Sequence, residues 1–224
     1  MTTRVAPARR RGLADEVADC IREAIFTGAY PLGTQLREVE LSTDLDVSRG
    51  PVREALLRLE REGLVRSEWH RGATVTTLSD DDIAELDSLR GALERLAVER
   101  VVTHASDDDI DTVERAAVHM AGARDEHTMV RLDITFHDAV YAATGHTRLN
   151  QAWFAIRSQV YLFLLTRIGL GDDDYLSHIP DEHRELAAAL RARDADTALD
   201  LFAAHRAHAF ELLIGTRLPS PSAG

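Results

Sequence analysis

The feature that most constrains the fold is the segment 47–63, with the sequence VSRGPVREALLRLEREG. Ser48 is a residue type favoured at helix N-caps, and Pro51 falls in the first helical turn, where a missing N–H costs nothing. Gly63 follows the last apolar residue, as glycine commonly does at a helix end. The apolar stripe between these signals consists of Val52, Ala55, Leu56 and Leu59. This spacing predicts a short amphipathic helix.

The basic residues of this helix are concentrated at its start. Arg49 and Arg53 lie four residues apart, beside the amino end and away from the centre of the apolar stripe. A helix that reads the DNA major groove presents its amino-terminal side chains to base edges and phosphates. We therefore predict DNA contacts from the start of the helix, at Ser48, Arg49, Gly50, Pro51 and Arg53.

The flanking segments complete a known arrangement. Residues 38–45 form a predicted second short helix, separated from the first by a tight turn. Residues 64–68 and 73–77 are β-branched or alternating runs on either side of a glycine-bearing tip, which predicts a hairpin, or wing. The tip adds His70, Arg71 and Gly72 to the predicted DNA contacts. Helix, turn, helix and wing together predict a winged helix-turn-helix domain.

Four motifs in this region resemble the GntR family of bacterial transcription regulators. They are Leu36-x-Glu38-x-x-Leu41, the segment 47–56, Leu59-Glu60-x-Glu62-Gly63-Leu64-Val65 and Arg71-Gly72-x-x-Val75. The resemblance implies DNA binding by a bacterial regulator. One departure concerns Val39, which stands where some relatives carry a DNA-touching arginine, so Arg37 is the candidate substitute.

The charge distribution permits DNA binding, although the formal net charge is −12. Residues 1–77 hold equal numbers of arginines and acidic residues, so the whole acidic excess lies in residues 78–224. Cys20 is the single cysteine, which excludes an intrachain disulfide and fits a reducing cytoplasm. The chain also lacks an apolar run long enough for a membrane span, so we expect a cytoplasmic protein.

The rest of the chain predicts helices alone. Ser79 and Ser106 each precede three acidic residues, which marks two helix starts. Further helices are predicted over 13–27, 126–144, 149–168, 181–193 and 196–214. Leu13 begins the predicted apolar face of the first of these, and Leu89 and Leu96 belong to the predicted apolar face of the helix that Ser79 starts. We predict a mainly α protein with a flexible arm (1–12), a winged helix-turn-helix domain (13–78), an antiparallel all-helical effector-binding and dimerisation domain (79–215) and a disordered tail (216–224).

Histidines and one aspartate of the helical domain form a candidate metal site. Asp133 and His137 are four residues apart, so they share one face of a helix. His183 and His205 lie in the last two predicted helices. Imidazole and carboxylate ligands from three helices can hold a divalent ion. Spacing alone leaves an ordinary structural role open for each histidine.

A second resemblance bears on this group. Asp133-x-x-Phe136-His137, Glu182-His183 and His205 resemble the metal motif of the helical FCD domain, which defines the FadR-type branch of the GntR family. The resemblance implies a metal that helps to hold a small effector, often a carboxylate. His208, one turn beyond His205, competes for the ligand role, and the spacing from His183 favours His205. Zinc is the first expectation, with nickel, manganese or iron as alternatives.

Arg90 also belongs to this second resemblance, through Arg90-x-x-x-Glu94. Two interpretations of Arg90 stay open: a clamp on the effector, or a buried ion pair with an acid of the bundle. The leading functional hypothesis is a metabolite-responsive repressor that binds a palindromic operator as a homodimer and is not an enzyme. The alternatives are a metal-dependent enzyme, and a regulator whose metal is only structural or is itself the signal. Leu162, Phe163 and Leu165 are predicted to supply the dimer interface.

Overall fold

The computed structural model describes residues 12–68, 72–171 and 175–217, the last four without their side chains. The chain divides into two compact units, Met1–Thr76 and Thr77–Gly224. Most of the predicted arm and most of the predicted tail lie outside the described residues. So do two of the three wing-tip residues, His70 and Arg71.

The first unit combines three helices with a small sheet. Its described elements are α1 (Leu13–Phe26), β1 (Gln35–Leu36), α2 (Glu38–Asp44), α3 (Arg49–Arg61), β2 (Val65–Glu68) and β3 (Gly72–Val75). The sheet is antiparallel, with β3 between β1 and β2. Gly72 has a positive φ of 83°, and a Cβ at this position would lie 3.1 Å from the carbonyl oxygen of Leu36. Glycine is therefore required where β3 begins beside β1.

The core of this unit lies between α1 and α3, and it confirms the predicted helical stripe of α3. Val52 and Leu59 are fully buried, as are Ile21 and Ile25 of α1. Three local features differ from the sequence prediction. The strand β1 was not predicted, Leu13 is exposed although it was placed on the apolar face of α1, and the side chain of Ser48 makes no capping hydrogen bond.

The second unit is a helical bundle, and the mainly α prediction is confirmed. Its described elements are α4 (Asp80–His104), α5 (Asp107–His119), a 3-10 turn (Met120–Gly122), α6 (Glu126–Ala143), α7 (Thr147–Ile168), α8 (Tyr175–Ala192) and α9 (Ala195–Arg217). Ser79 and Ser106 form capping boxes with Asp82 and Asp109, which confirms both predicted helix starts. No helix within the described ranges is long and apolar enough to cross a membrane.

Helix α8 begins six residues earlier than predicted and contains Pro180. A proline inside a helix costs about 3 kcal/mol because it removes a backbone hydrogen bond. Tyr175 and Ile179 in the added turns are fully buried, and burial of two large apolar side chains contributes roughly 3–6 kcal/mol. Burial therefore outweighs the cost of the proline, and His183 lies within α8 instead of at its start.

The buried face of α4 also differs from the predicted one. Leu89 and Leu96 were expected in the core, yet they are 47% and 40% exposed. Arg90 and Glu94 are buried instead, at 4% and 2% exposure. Burying a charge without a partner is costly, so two buried charged side chains indicate a polar centre inside the bundle in which they have partners.

The predicted dimer interface on α7 is wrong. Its three proposed residues are no more than 7% exposed and pack inside the bundle: Leu162, Phe163 and Leu165. They pack within a single chain, so they offer no face to a second copy.

Candidate functional site

The first candidate site is the exposed amino end of α3. The side chains of Arg49 and Arg53 are 59% and 63% exposed, and both contact Glu38 of α2. Arg49 Nη2 donates to Glu38 Oε2 at 3.1 Å. Arg53 donates through Nε and Nη2 to the two oxygens of Glu38, each at 3.1 Å. One carboxylate thus holds both guanidinium groups at the start of the helix.

Glu38 was not among the predicted contact residues, although it lies in a quoted motif. Hydrogen bonds from Arg53 and then Arg49 hold the pKa of the Glu38 carboxyl below its usual range. The group is therefore ionised at neutral pH, and it restricts two flexible side chains before any DNA arrives. Such restriction lowers the conformational cost of binding.

The other predicted contact positions surround this pair. Ser48 and Gly50 are exposed and Pro51 is half-buried. A Cβ placed on Gly50 would meet no atom within 4 Å, so the backbone there is open to approach. Arg37 is exposed and donates to Glu40 at 3.0 Å. Gly72 is exposed at the start of β3.

The second candidate site is the centre of the bundle, where four predicted metal ligands come together. Asp133 and His137 lie on α6, His183 on α8 and His205 on α9, and all four side chains are buried. One ring nitrogen from each histidine lies within 4.8 Å of the others. Asp133 Oδ1 lies 3.6 Å from His137 Nε2, and Asp133 Oδ2 lies 3.5 Å from His183 Nε2.

Neighbouring groups fix the orientation of two of these rings. The Nδ1 of His183 donates to the carbonyl oxygen of Ile179 at 2.8 Å. The Nδ1 of His205 donates to Glu182 Oε2 at 2.8 Å. With the proton on Nδ1, the Nε2 lone pair of each ring is available to a ligand. Hydrogen bonds of this kind are typical of the groups that orient metal-binding histidines.

His137 has a different partner. Its Nε2 lies 3.0 Å from Nη2 of Arg90. A guanidinium group can only donate, so His137 Nε2 accepts this hydrogen bond. Arg90 also donates through Nε to Glu94 Oε1 at 2.8 Å, so the ion-pair interpretation of Arg90 describes its contacts in this structure. The same guanidinium also touches the candidate metal group.

A second guanidinium extends this polar centre towards the surface. Arg206 of α9 donates to Glu94 Oε2 at 3.1 Å and pairs with Asp87 at 3.1 Å. It lies against Gly91, where a Cβ would come within 2.8 Å of its Cζ atom. Glycine at this position therefore lets Arg206 reach Glu94. A cavity of about 370 Å³ adjoins the pair and opens between α4 and α9.

Burial keeps two histidines of this group, His137 and His183, neutral. It lowers the pKa of His183 to about 4, although Asp133 opposes the shift. It also lowers the pKa of His137 well below the usual value, and the charge of Arg90 acts in the same direction. A neutral imidazole is the form that binds a metal. Burial therefore maintains the ligand form at neutral pH without any metal.

The residues present fit a divalent metal. Asp133 Oδ1 and His183 Nε2 are buried and make no hydrogen bond within the described part of the chain. Buried polar atoms without partners are rare, and an ion is one of the accepted explanations. Asp133, His137, His183 and His205 would hold the ion, which would supply a positive centre for an anionic oxygen. His208, the competing candidate, lies instead beside His178 and Glu182.

Sequence reasoning did not identify the supporting residues of this centre: Glu94 as the shared acid, Glu182 and Arg206. Glu182 directly precedes His183 in the sequence, so its supporting role could have been predicted once His183 was a candidate ligand. Burial raises the pKa of the Glu182 carboxyl, but the hydrogen bond from His205 and the charges of His205, His178 and His208 together outweigh it, so the pKa falls overall. Arg206 gave no comparable signal, because its partner Glu94 lies far away along the chain.

Comparisons with known proteins agree with both units. The family model described as "Bacterial regulatory proteins, gntR family" matches residues 13–75, and the model described as "FCD domain" matches residues 82–208. A probable D-xylose utilization operon transcriptional repressor of Paenarthrobacter nicotinovorans is 32% identical, over 84% of this chain and 83% of the relative. The gluconate operon transcriptional repressor of Bacillus subtilis is 29% identical, over 80% and 75%.

A solved structure shows the same fold. The chain is similar to a putative GntR transcriptional regulator from Rhodococcus sp. RHA1, with a TM-score of 0.79 and 25% identity. The match covers 90% of this chain and 97% of that one. The matched domains and the named relatives are transcription regulators rather than enzymes.

Proposed function

Because the chain belongs to the gntR family of bacterial regulatory proteins and carries an FCD domain, we propose that it is a transcriptional repressor controlled by a small carboxylate. In this proposal it acts in the cytoplasm, binds a palindromic operator as a homodimer and holds a divalent metal in the helical bundle. The observation that carries the effector role is the buried group of three histidines and Asp133, with its unpaired oxygen and nitrogen atoms.

The amino end of α3 is the proposed DNA-reading surface. Arg49 and Arg53 are exposed, and Glu38 holds them side by side. A guanidinium group can contact guanine through two hydrogen bonds, and Arg37 adds a cation nearby for phosphate. The open backbone at Ser48 and Gly50 allows close approach of a phosphate. His70, Arg71 and Gly72 are proposed to bring the wing tip to the adjacent minor groove.

One recognition helix contacts only a few base pairs, so we propose a homodimer on two half-sites. Half-sites one helical turn apart would be separated by roughly 34 Å. The exposed leucines of α4, Leu89 and Leu96, lie seven residues apart and therefore on one side of that helix. Phe154 of α7, a helix that packs on α4, is 56% exposed. We propose that these exposed apolar side chains, in place of the buried α7 residues, contribute to the dimer interface.

The bundle centre is the proposed effector site. Asp133, His137, His183 and His205 would ligate the metal, and zinc suits three imidazoles with one carboxylate. The open coordination positions of such an ion attract anionic oxygen, and the buried surroundings strengthen the attraction. The effector would then carry a carboxylate.

We propose that the guanidinium groups of Arg90 and Arg206 bind the effector carboxylate. Arg90 and Arg206 share Glu94, which acts as an internal carboxylate between them. His137 cannot offer its Nε2 lone pair to an ion and to Arg90 at once, so ligation frees one donor of Arg90. We propose that Arg90 and Arg206 turn these donors to the effector carboxylate, and that the adjoining cavity admits it. The resulting change in the bundle would shift operator affinity.

A second candidate role keeps the metal and omits the effector. In this second role the metal either stabilises the bundle or is itself the signal. The buried ligand set is compatible with either version. The two roles differ in one respect: only the effector role requires the metal for carboxylate binding.

Thermal-shift titration of zinc-loaded and chelated protein tests the proposal. D-gluconate is the first probe because a relative is named for the gluconate operon, and uncharged D-xylose is its control. We expect a carboxylate to raise the melting temperature with concentration in zinc-loaded protein alone. The same carboxylate should then change the affinity for the DNA upstream of the protein's own gene. A carboxylate that stabilises the chelated protein equally would contradict the metal-assisted site.

A further inference from the structure

A second group of ligand-type side chains lies on the outer side of the same two helices. His178 and Glu182 are one turn apart on α8, and His208 lies on α9. Each of the three residues offers a ligand atom, and these atoms lie within 4.8 Å of one another. The rings of His178 and His208 meet edge to face, with centroids 5.8 Å apart. The spacing of His178 and His208 in the sequence predicts no shared role for them.

The composition of this group suits a divalent cation. Two imidazoles and one carboxylate provide three ligands, which zinc and other transition metals accept with water in the remaining positions. Residues four apart on a helix present their side chains to one point, so two of the ligands are held in place by α8 itself. We propose that His178, Glu182 and His208 form a second divalent metal site, distinct from the buried group around Asp133.

Glu182 connects the two sites. Its Oε2 accepts the hydrogen bond from Nδ1 of His205, which is a proposed ligand of the buried metal. The same carboxylate is a ligand of the second site. A cation on Glu182 therefore acts on the ring that the carboxylate orients, and the outer site adjusts the affinity of the inner one.

One neighbouring group opposes a cation at this position. Arg167 is buried and lies 3.4 Å from Nε2 of His178, with its guanidinium over the Tyr175 ring at 4.9 Å. Its positive charge repels a metal, and its hydrogen bond competes for the same nitrogen. That hydrogen bond is long, however, so it is weak and gives way at little cost. His208 is exposed and Glu182 half-buried, so the ion exchanges with solvent. The second site is accordingly weaker than the buried one.

Zinc titration of the full chain by calorimetry, with metal analysis after dialysis, tests the second site. We expect two equivalents of Zn²⁺ for the unchanged protein and one for His208→Ala, which alters an exposed side chain. His178→Ala repeats the test from the other helix. His137→Ala should keep only the weaker equivalent, and the double variant His137→Ala/His208→Ala should keep neither.

The outcomes separate this inference from the proposed function. A single equivalent in the unchanged protein that disappears with His137→Ala would overturn the second site and leave the first intact. Two equivalents that persist in His208→Ala and His178→Ala would also overturn it. If His208→Ala binds one equivalent of Zn²⁺ fewer than the unchanged protein and His137→Ala binds the same number, the result would support the second site and contradict the buried one.

Discussion

Arg90 donates a hydrogen bond from Nη2 to Nε2 of His137 at 3.0 Å, inside the helical bundle and beside Asp133. The accepting nitrogen also lies 3.6 Å from Asp133 Oδ1, so it is the nitrogen that we propose His137 offers to a metal. Metal ligation and the Arg90 contact therefore exclude each other. This relationship connects the proposed metal site with the proposed effector clamp, because one event at His137 changes what Arg90 can bind.

The shared carboxylate of Glu94 gives a direct test of the clamp. Glu94→Gln removes the negative charge that engages Arg90 and Arg206. We expect the ligand-free protein to be less stable, because a buried guanidinium loses its partner. A carboxylate effector found in the thermal-shift screen should bind roughly tenfold more tightly, since it no longer competes with Glu94. Glu99→Gln, at an exposed position of α4, is the matched control, and equal carboxylate affinity in both variants would refute the clamp.

The DNA-reading assignment predicts a difference between the two ends of α3. Arg53→Ala should weaken operator binding by roughly 10- to 100-fold if Arg53 contacts a guanine. Arg61→Ala removes an exposed arginine from the opposite end of the helix and is expected to change affinity much less. Fluorescence anisotropy at fixed salt concentration measures both. Equal losses in the two variants would mean that only general charge is involved.

Glu38 should contribute to specificity more than to affinity. Glu38→Gln leaves a side chain of the same size but removes the charge that holds Arg49 and Arg53. Loss of an anion near DNA raises general attraction to phosphates, whereas the freed arginines bind their bases less well. The ratio of operator affinity to affinity for unrelated DNA should therefore fall. A ratio equal to that of the unchanged protein would show that Glu38 does not order the arginines.

The stability of the chelated protein should depend on pH through the buried histidines. Burial lowers the pKa of folded His183 to about 4, from an ordinary value of 6.5. Between these values the unfolded chain binds more protons, so stability is full above pH 6.5 and is lost as pH falls towards 4. The loss is on the order of 3 kcal/mol for His183 alone. Urea unfolding at several pH values, compared with His183→Asn, measures it, and parallel pH profiles for the two proteins would exclude the effect.

Local sequence patterns predicted most of the helical fold. Capping residues such as Ser79 and Ser106 give their signal within a few positions, so the starts of α4 and α5 were predictable. The start of α8 was not, because Pro180 argues against a helix and only burial of Tyr175 and Ile179 reverses that preference. Tertiary contacts decided that boundary.

The candidate site was predictable in part for the same reason. Asp133 and His137 share a helix face, so spacing alone brought them together, whereas His183 and His205 needed a resemblance to a known motif. The burial of Arg90 and Glu94 contradicts the simple apolar stripe of α4, because their partners His137 and Arg206 come from distant parts of the chain. No local pattern carries such contacts.

Competition for zinc against a calibrated chelator tests the central claim most directly. The unchanged protein and the surface control His119→Ala should each retain one Zn²⁺ tightly. His137→Ala should lose affinity for that ion by more than the roughly 10- to 100-fold typical of a missing outer partner, while it still binds operator DNA. Tight zinc retention by His137→Ala, equal to that of the control, would contradict a metal centre at His137, His183, His205 and Asp133.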